Sequence, residues 1–419
     1  MSAALVVRGP RMRWGLLLPV LFLLSMGLAT IHTTSGSSVE GAVLPGPGAA
    51  PIADEGWLAA VRDAAGQTTF RQWAFVLTGV GLLALVAIPS YQWLGRYAYL
   101  AYAVVMALLL LLALDRWLEP FGIDVPFVPV RRATRRWIEF GAIGIQPSEF
   151  MKVALVLCLA RYLRYREDVQ EWRGLIKPFA LTALPMVLIH FQPDLGTLLM
   201  LLPILFAMLW VAGAKKRHLA VVLGAGMVAA PFFYAFVMRD YQRVRVDVVL
   251  RQETADERWH RREGYQLRQA KAALGTGGVT GAGFGQGLFV TQDALLPERH
   301  NDFIFAMIGH QFGLLGAGAV ILAYLVFAVV GAEVAGVTND PFGRLIAVGL
   351  TVMIVAQGLL NIAMIVGLIP ITGVTLPFVS YGGSSIWAGL IALGLLLNIE
   401  RRRPLMMGRA PTAFDREGT

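Results

Sequence analysis

Repeated apolar runs of membrane-crossing length decide what this chain can fold into. A helix needs about 20 predominantly apolar residues to cross a bilayer. Ten stretches qualify or nearly qualify: 14–31, 73–90, 96–114, 148–163, 178–191, 195–213, 218–237, 302–330, 343–366 and 381–398. The fourth and fifth are short or interrupted. Composition agrees, because 57% of the 419 residues are hydrophobic and only 15% are charged, against roughly 25% charged in soluble proteins. The expected fold is an all-α polytopic membrane protein of about ten transmembrane helices, forming one domain over 1–419. The first run follows Arg8, Arg11 and Arg13. It is long for a signal peptide and reads as a retained helix. The one cysteine, Cys158, lies inside an apolar run, so no intrachain disulfide can form.

Lys and Arg orient the spans. The N-terminal arginines, the segment Lys215-Lys216-Arg217 and the tail from Arg401 to Arg403 fall on one side of a ten-span chain. By the positive-inside rule that side is cytoplasmic, which puts both termini and the tail 400–419 there. The net charge of +9 is then topological and gives no reason to expect nucleic acid. Residues 32–72 become an external linker, rich in Gly, Pro and Ser over 34–56. Residues 238–301 become one large extracytoplasmic loop with nearly balanced charge. One external cluster breaks the rule: Arg131, Arg132, Arg135 and Arg136. It suits either an anion or lipid phosphates.

Four unusual stretches gather on the external side. In Gln146-Pro147-Ser148-Glu149-Phe150-Met151-Lys152, Pro147 suits the first turn of a helix. Glu149 and Lys152 then share one face. Such a pair inside a membrane helix faces protein or a wet cavity, so it is either part of a substrate cavity or a clamp between helices. In Gln192-Pro193-Asp194-Leu195-Gly196-Thr197, Asp194 is better placed as a helix cap than for chemistry. In Pro377-Phe378-Val379-Ser380-Tyr381-Gly382-Gly383-Ser384-Ser385, the paired glycines permit a tight turn or close approach of a ligand. The fourth is the large loop with its exit, LPERHNDFIF. Its Gly-rich part, GTGGVTGAGFGQG over 275–287, is a weak match to a dinucleotide fingerprint because no strand–helix–strand unit surrounds it. It reads as a loop packed close to membrane or substrate. Asp302 is either the N-terminal cap of the eighth span or an acid/base at a boundary of intermediate dielectric, beside Arg299 and His300. No Walker loop, HExxH motif or nucleophile elbow is present.

The stretches RRWIEFGAIGIQPSEFMK, FQPDLGT, DYQRVRV, LPERHNDFIF and LPFVSYGGSS, in this order and spacing, resemble the SEDS family of shape, elongation, division and sporulation proteins, whose members include RodA and FtsW. The resemblance covers about residues 14–403. The DYQRVR form and the short N-terminus are more similar to the RodA branch. The resemblance implies ten helices with cytoplasmic ends. It also implies peptidoglycan glycosyltransfer at the external face of the cell membrane, with lipid II as substrate and undecaprenyl pyrophosphate as leaving product. It makes Asp302 the essential catalytic carboxylate. Glu149 and Lys152 fall on the family's charged pair, and Ser380 and Tyr381 join the substrate side. Pro147, Asp194, Gly196, Gly382 and Gly383 are taken as structural. Arg135, Arg136, Arg243, Arg245, Lys271 and Arg299 are candidates to stabilise the departing pyrophosphate. No residue cluster demands a cofactor or metal, although a divalent cation, Mg or Mn, could share that role. The implied protein partner is a class B penicillin-binding transpeptidase, beside membrane lipids.

Several positions depart from the family pattern. Asn301 stands where Thr is usual. Gly309-His310-Gln311-Phe312-Gly313 lacks two usual acids. The loop text RQETADERWHRREGY replaces the usual D-P-x-x-D-P-L-G-x-G-Y. Three other readings remain: an FtsW-like division polymerase, a carrier of lipid-linked precursor, and an inactive scaffold of a cell-wall complex.

Overall fold

The structure is a computed structural model that describes residues 10–35, 66–118, 127–129, 136–140, 143–252 and 263–402. Most of the linker 32–72, Arg135, most of RQETADERWHRREGY and the tail beyond 402 lie outside these residues.

The apolar runs are helices. They are α1 (Pro10–Ser35), α2 (Gln67–Ala87), the short α3 (Tyr91–Arg96), α4 (Ala98–Leu118), α5 (Pro147–Leu163), α6 (Trp172–Phe191), α7 (Leu195–Val211) and α8 (Lys216–Phe232). Three elements of the large loop follow: α9 (Asp240–Leu250), α10 (Tyr265–Thr276) and α11 (Leu288–Thr291). The chain closes with α12 (Ile304–Val337), α13 (Pro341–Ile365) and α14 (Gly383–Arg402). Among the described residues, eight helices are long and apolar enough to cross a membrane. The other two expected spans are α5 and α7, each of 17 residues. A helix of that length is about 26 Å long, slightly less than a hydrocarbon core. One departure from all-α structure is a small hairpin, β1 (Ile138–Phe140) and β2 (Ile143–Ile145), in antiparallel register with Ile138 opposite Ile145.

Local sequence explains the helix boundaries. Pro147 and Pro341 occupy first turns, where a missing N–H is harmless. The Asp340 side chain caps α13 by accepting from the Phe342 N–H at 3.2 Å. Internal prolines in α1, α6, α7 and α8 are tolerated because neighbouring helices can re-satisfy the freed carbonyls in a membrane. Gly313 interrupts α12 with φ 63° and ψ −160°.

Helices α13 and α14 are largely buried, whereas α8 has no buried residue. The closest pairings are α2 with α14, α12 with α13, and α1 with α12. Helix α13 also packs on α5 and α7. The start of α1 meets the end of α14 through an Arg13–Glu400 ion pair of 2.5 Å. The opposite end of α14 borders the cleft described next.

Candidate functional site

The four unusual stretches converge on one cleft of about 550 Å³ at the end of the bundle formed by the starts of α5, α7, α12 and α14 and the end of α13. Asp302 lies in its wall, in the turn before α12. The helix begins at Ile304, and its cap position is Phe303 with no side-chain cap bond, so Asp302 is not the capping residue. Its backbone is fixed from below. Asn361 Nδ2 donates to the Asp302 carbonyl at 2.8 Å and to the Val374 carbonyl at 2.6 Å. A Cβ at Gly373 (φ 76°) would stand 3.4 Å from Asp302 Oδ2. The carboxylate therefore lies against the strip 372–375, where glycine leaves it room.

A second set of bonds ties this turn to the Ser380 region. Ser380 Oγ donates to the Asn301 carbonyl at 2.6 Å and accepts from the Leu376 N–H at 2.8 Å. The Tyr381 N–H donates to the His300 carbonyl at 2.9 Å. Gln72 of α2 brackets the same turn, donating to the Ser380 carbonyl at 3.1 Å and accepting from the Gly382 N–H at 3.2 Å. Ser380 is thus buried support, while Tyr381, Gly382 and Gly383 line the cleft. A Cβ at Gly383 would meet the Phe75 ring at 3.0 Å, and this close approach explains the glycine.

Glu149 and Lys152 form a 3.0 Å ion pair that is both buried and part of the cleft wall. Lys152 also donates to Gln357 Oε1 at 2.6 Å. Gln357 Nε2 passes the connection to the Thr375 carbonyl at 3.0 Å. Asp194 caps α7, accepting from the Thr197 N–H at 3.2 Å and the Thr197 hydroxyl at 2.9 Å. Its Oδ2 also accepts from Gln146 Nε2 and Ser148 Oγ, both at 3.1 Å, which joins α7 to the start of α5. Gly196 lets α7 approach the strip at Thr372 and Val374.

Three arginines face this wall: Arg71, Arg136 and Arg245. Arg136 Nε donates to the Gln192 carbonyl at 2.7 Å, Nη2 donates to Pro193, and Nη1 stands 4.0 Å from Asp194 Oδ1. Burial and then the Arg136 charge push the Arg245 pKa below the usual guanidinium value, while Tyr241, Asp302 and Asp194 pull it back up. A guanidinium starts so high that it stays cationic at neutral pH.

Other candidate cations lie elsewhere. Arg299 is buried and donates to the carbonyls of Phe289 at 3.0 Å, Val290 at 2.9 Å and Thr34. It clamps α11 and the end of α1 to the Asp302 turn. Arg243 donates to the Ala235 carbonyl at 2.9 Å, and Lys271 donates to Gln252 Oε1 at 2.5 Å beside Gly367. Neither lines the cleft. Arg135 lies outside the described residues. Among the described residues no group of three His, Cys, Asp or Glu side chains could hold a metal. Glu149 and Asp194 already have protein partners, so these carboxylates do not make an all-protein cation cage.

Sequence reading missed Gln72, Gln357 and Asn361. Gln357 and Asn361 carried a signal: two amides four residues apart, hence on one face, in an otherwise apolar run. The Gly-rich loop does not line the cleft. It packs on α12, where the Ala282 and Gly283 N–H groups donate to the carbonyls of His310 at 2.8 Å and Gln311 at 3.1 Å.

Fold and site together define a polytopic membrane protein with a polar cleft at one end, walled by carboxylates and arginines. The sequence pattern of the FtsW, RodA and SpoVE family, described as "Cell cycle protein", matches residues 59–404. A probable peptidoglycan glycosyltransferase FtsW from Geobacter sulfurreducens is 32% identical over 338 residues, covering 79% of this chain and 85% of the relative. The peptidoglycan glycosyltransferase MrdB of Escherichia coli is 32% identical over 332 residues, covering 78% and 84%. A solved chain from work on the structural coordination of polymerization and crosslinking by a peptidoglycan synthase complex superposes with a TM-score of 0.71 at 26% identity, covering 94% of this chain and 98% of that one. The chain belongs to the FtsW, RodA and SpoVE family.

Proposed function

We propose that this protein is a peptidoglycan glycosyltransferase that polymerises lipid II at the outer face of the cell membrane. The observation that carries the reading is Asp302, held by its backbone in the wall of a cleft that also presents Arg71, Arg136 and Arg245. The Asp302 carboxylate accepts the proton of the 4-hydroxyl of an acceptor N-acetylglucosamine. That oxygen attacks the anomeric carbon of a donor N-acetylmuramic acid, and a β-1,4 bond forms with inversion. The bond to the pyrophosphate breaks, and undecaprenyl pyrophosphate leaves. Arg136 and Arg245 stabilise its growing negative charge, an electrostatic contribution that a low-dielectric cleft strengthens. Arg71, which the sequence did not single out, joins them. A divalent cation bound with the substrate would supply further charge neutralisation.

The outward orientation rests on the basic segments at the opposite end, Lys215 to Arg217 and Arg401 to Arg402. The DYQRVR stretch favours a role in elongation over division. A class B penicillin-binding transpeptidase is the proposed partner, since the structural relative belongs to a complex that couples polymerization to crosslinking. A carrier would place its polar groups near the bilayer midplane. Here they collect at one end, which supports the enzyme.

The test is purified protein with labelled lipid II, with and without the transpeptidase. Glycan polymer that disappears on Asp302→Asn supports the enzyme. Lipid II translocation without polymer would make it a carrier, and neither activity with the partner present would leave a scaffold.

A further inference from the structure

The end of the bundle opposite the cleft holds a pocket that the proposed reaction does not use. It measures about 350 Å³ and lies where the C-terminal ends of α5 and α7 meet the start of α13. Arg164, Arg166 and Arg344 stand in its wall, above Leu163, Val211 and Leu345. Arg166 is engaged by Asp168 at 3.1 Å. Among the described residues neither Arg164 nor Arg344 has a carboxylate partner. The Arg164 guanidinium lies 4.7 Å from the Tyr165 ring centre and 6.0 Å from that of Phe342. Its face is thereby covered, while the N–H donors at its edge are left for an acceptor. Arg344 uses Nε on the Thr338 carbonyl at 3.2 Å and keeps its two terminal nitrogens. The pocket's acid is Glu167, which opposes an anion there.

We propose that this pocket binds the phosphate of an anionic phospholipid of the cytoplasmic leaflet. The chemistry fits in two parts. Paired guanidinium donors match phosphate oxygens, and exposed apolar side chains of α7, Trp210 and Val211, give the acyl chains a surface to lie on. Basic pockets between helices on the cytoplasmic side suit such headgroups. The location gives the site a consequence. The same three helices carry, at their other ends, the Glu149–Lys152 pair, Asp194, and the amides Gln357 and Asn361. A headgroup held by α5 and α13 fixes the spacing of the cleft walls. The leaflet assignment rests on the outward orientation of the cleft argued above; the binding itself does not.

The experiment measures lipid retained by the full-length protein, titrated in detergent with phosphatidylglycerol, phosphatidylcholine or inorganic phosphate and read by native mass spectrometry. No glycan substrate is present, so the result is independent of the polymerase reading. Phosphatidylglycerol should bind in preference to phosphatidylcholine. Arg164→Gln with Arg344→Gln should weaken it about tenfold or more, from the loss of two basic contacts. Glu167→Gln should tighten it, and Arg217→Gln, a basic change at the same end but outside the pocket, should leave it unchanged. If the double variant does not fold, Arg344→Gln alone carries the test, because that side chain is exposed. Equal loss in Arg217→Gln, no loss in the pocket variants, or displacement by inorganic phosphate at concentrations comparable to the lipid would each overturn the proposal. To place the site in the cytoplasmic leaflet, wall-stripped intact cells carrying the protein are treated with a membrane-impermeant arginine reagent. Arg344 should be spared there and modified once the membrane is opened. Modification of Arg344 in the intact cells would place the pocket in the outer leaflet and overturn the assignment.

Discussion

Two glycine-containing segments of this molecule do opposite work. The strip 372–383 has three glycines and forms part of the cleft wall beside Asp302, whereas the loop 275–287 has seven and lines none of it. In the loop, glycine allows backbone to dock on backbone. A Cβ at Gly281 (φ 88°) would fall on the Gln311 carbonyl, and one at Gly277 on the Gly309 carbonyl. Leu314 and Leu315 N–H groups, just past the break at Gly313, donate back to the Gly278 and Val279 carbonyls at 2.9 and 3.2 Å. In the strip, Gly373 leaves room for the Asp302 carboxylate and Gly383 for the Phe75 ring of α2. Glycine content alone therefore does not locate a site. What distinguishes the strip is the set of amides and hydroxyls that hold it, and substitutions should separate the two segments as chemistry from stability.

The largest effect is expected at the carboxylate. Asp302→Asn keeps the shape and removes the proposed proton acceptor, so glycan synthesis should fall by about 10²–10⁴-fold. Thermal unfolding in detergent should stay near that of the parent protein. An active Asp302→Asn protein would dissolve the distinction between the two segments. Next comes Asn361→Leu, which leaves the Asp302 and Val374 carbonyls without their shared donor. A shift of about 1 Å in a reacting group can cost about 10²-fold, and a loss of that order is expected in kcat rather than KM. Asn361→Gln should not restore it, because the longer side chain cannot keep both bonds in place. A loss confined to folding yield would make Asn361 a structural amide only.

Much of this arrangement was legible in the sequence, and the reason is polarity against an apolar background. Asp302, Glu149, Lys152, Asp194 and Arg136 stand out because ionised groups near membrane helices need partners. Their gathering at one end followed from counting spans. Arg299 was equally conspicuous yet serves three backbone carbonyls, and a carbonyl acceptor leaves no trace in residue type. Gln72 was invisible for the same reason, since it too bonds main chain. The hairpin at Ile138–Ile145 was missed because three-residue strands carry no readable alternation. The Gly-rich loop reads as packed close to membrane or substrate because the sequence shows that a backbone can approach something, but not what it approaches.

Smaller effects belong to that loop. Gly281→Ala demands a left-handed alanine and displaces the Gln311 carbonyl, which should cost about 2–3 kcal/mol of stability. The fraction that remains folded should synthesise glycan at the parent rate. A specific-activity loss as large as that of Asn361→Leu would mean that the loop shapes the cleft after all.

The smallest and most discriminating change is Gln311→Leu, at one of the positions where the usual acids are absent. Gln311 Oε1 accepts from the Gly285 N–H and the Thr33 hydroxyl, both at 3.0 Å, and so joins the loop to α1. Thr33 keeps an alternative acceptor in the Thr30 carbonyl at 2.9 Å, so leucine strands only the Gly285 donor. Gln311 Nε2 is itself buried without a partner, and leucine removes that liability. The net destabilisation should therefore be about 1 kcal/mol, read as a small fall in the unfolding midpoint with specific activity unchanged. A carboxylate at this position would keep both hydrogen bonds but bury a charge. Gln311→Glu should accordingly lose stability as pH rises through the carboxyl's titration, whereas Gln311→Leu should show no such dependence. If the two variants respond to pH alike, the amide is not the joint between loop and helix, and the separation of the two glycine segments fails at its mildest test.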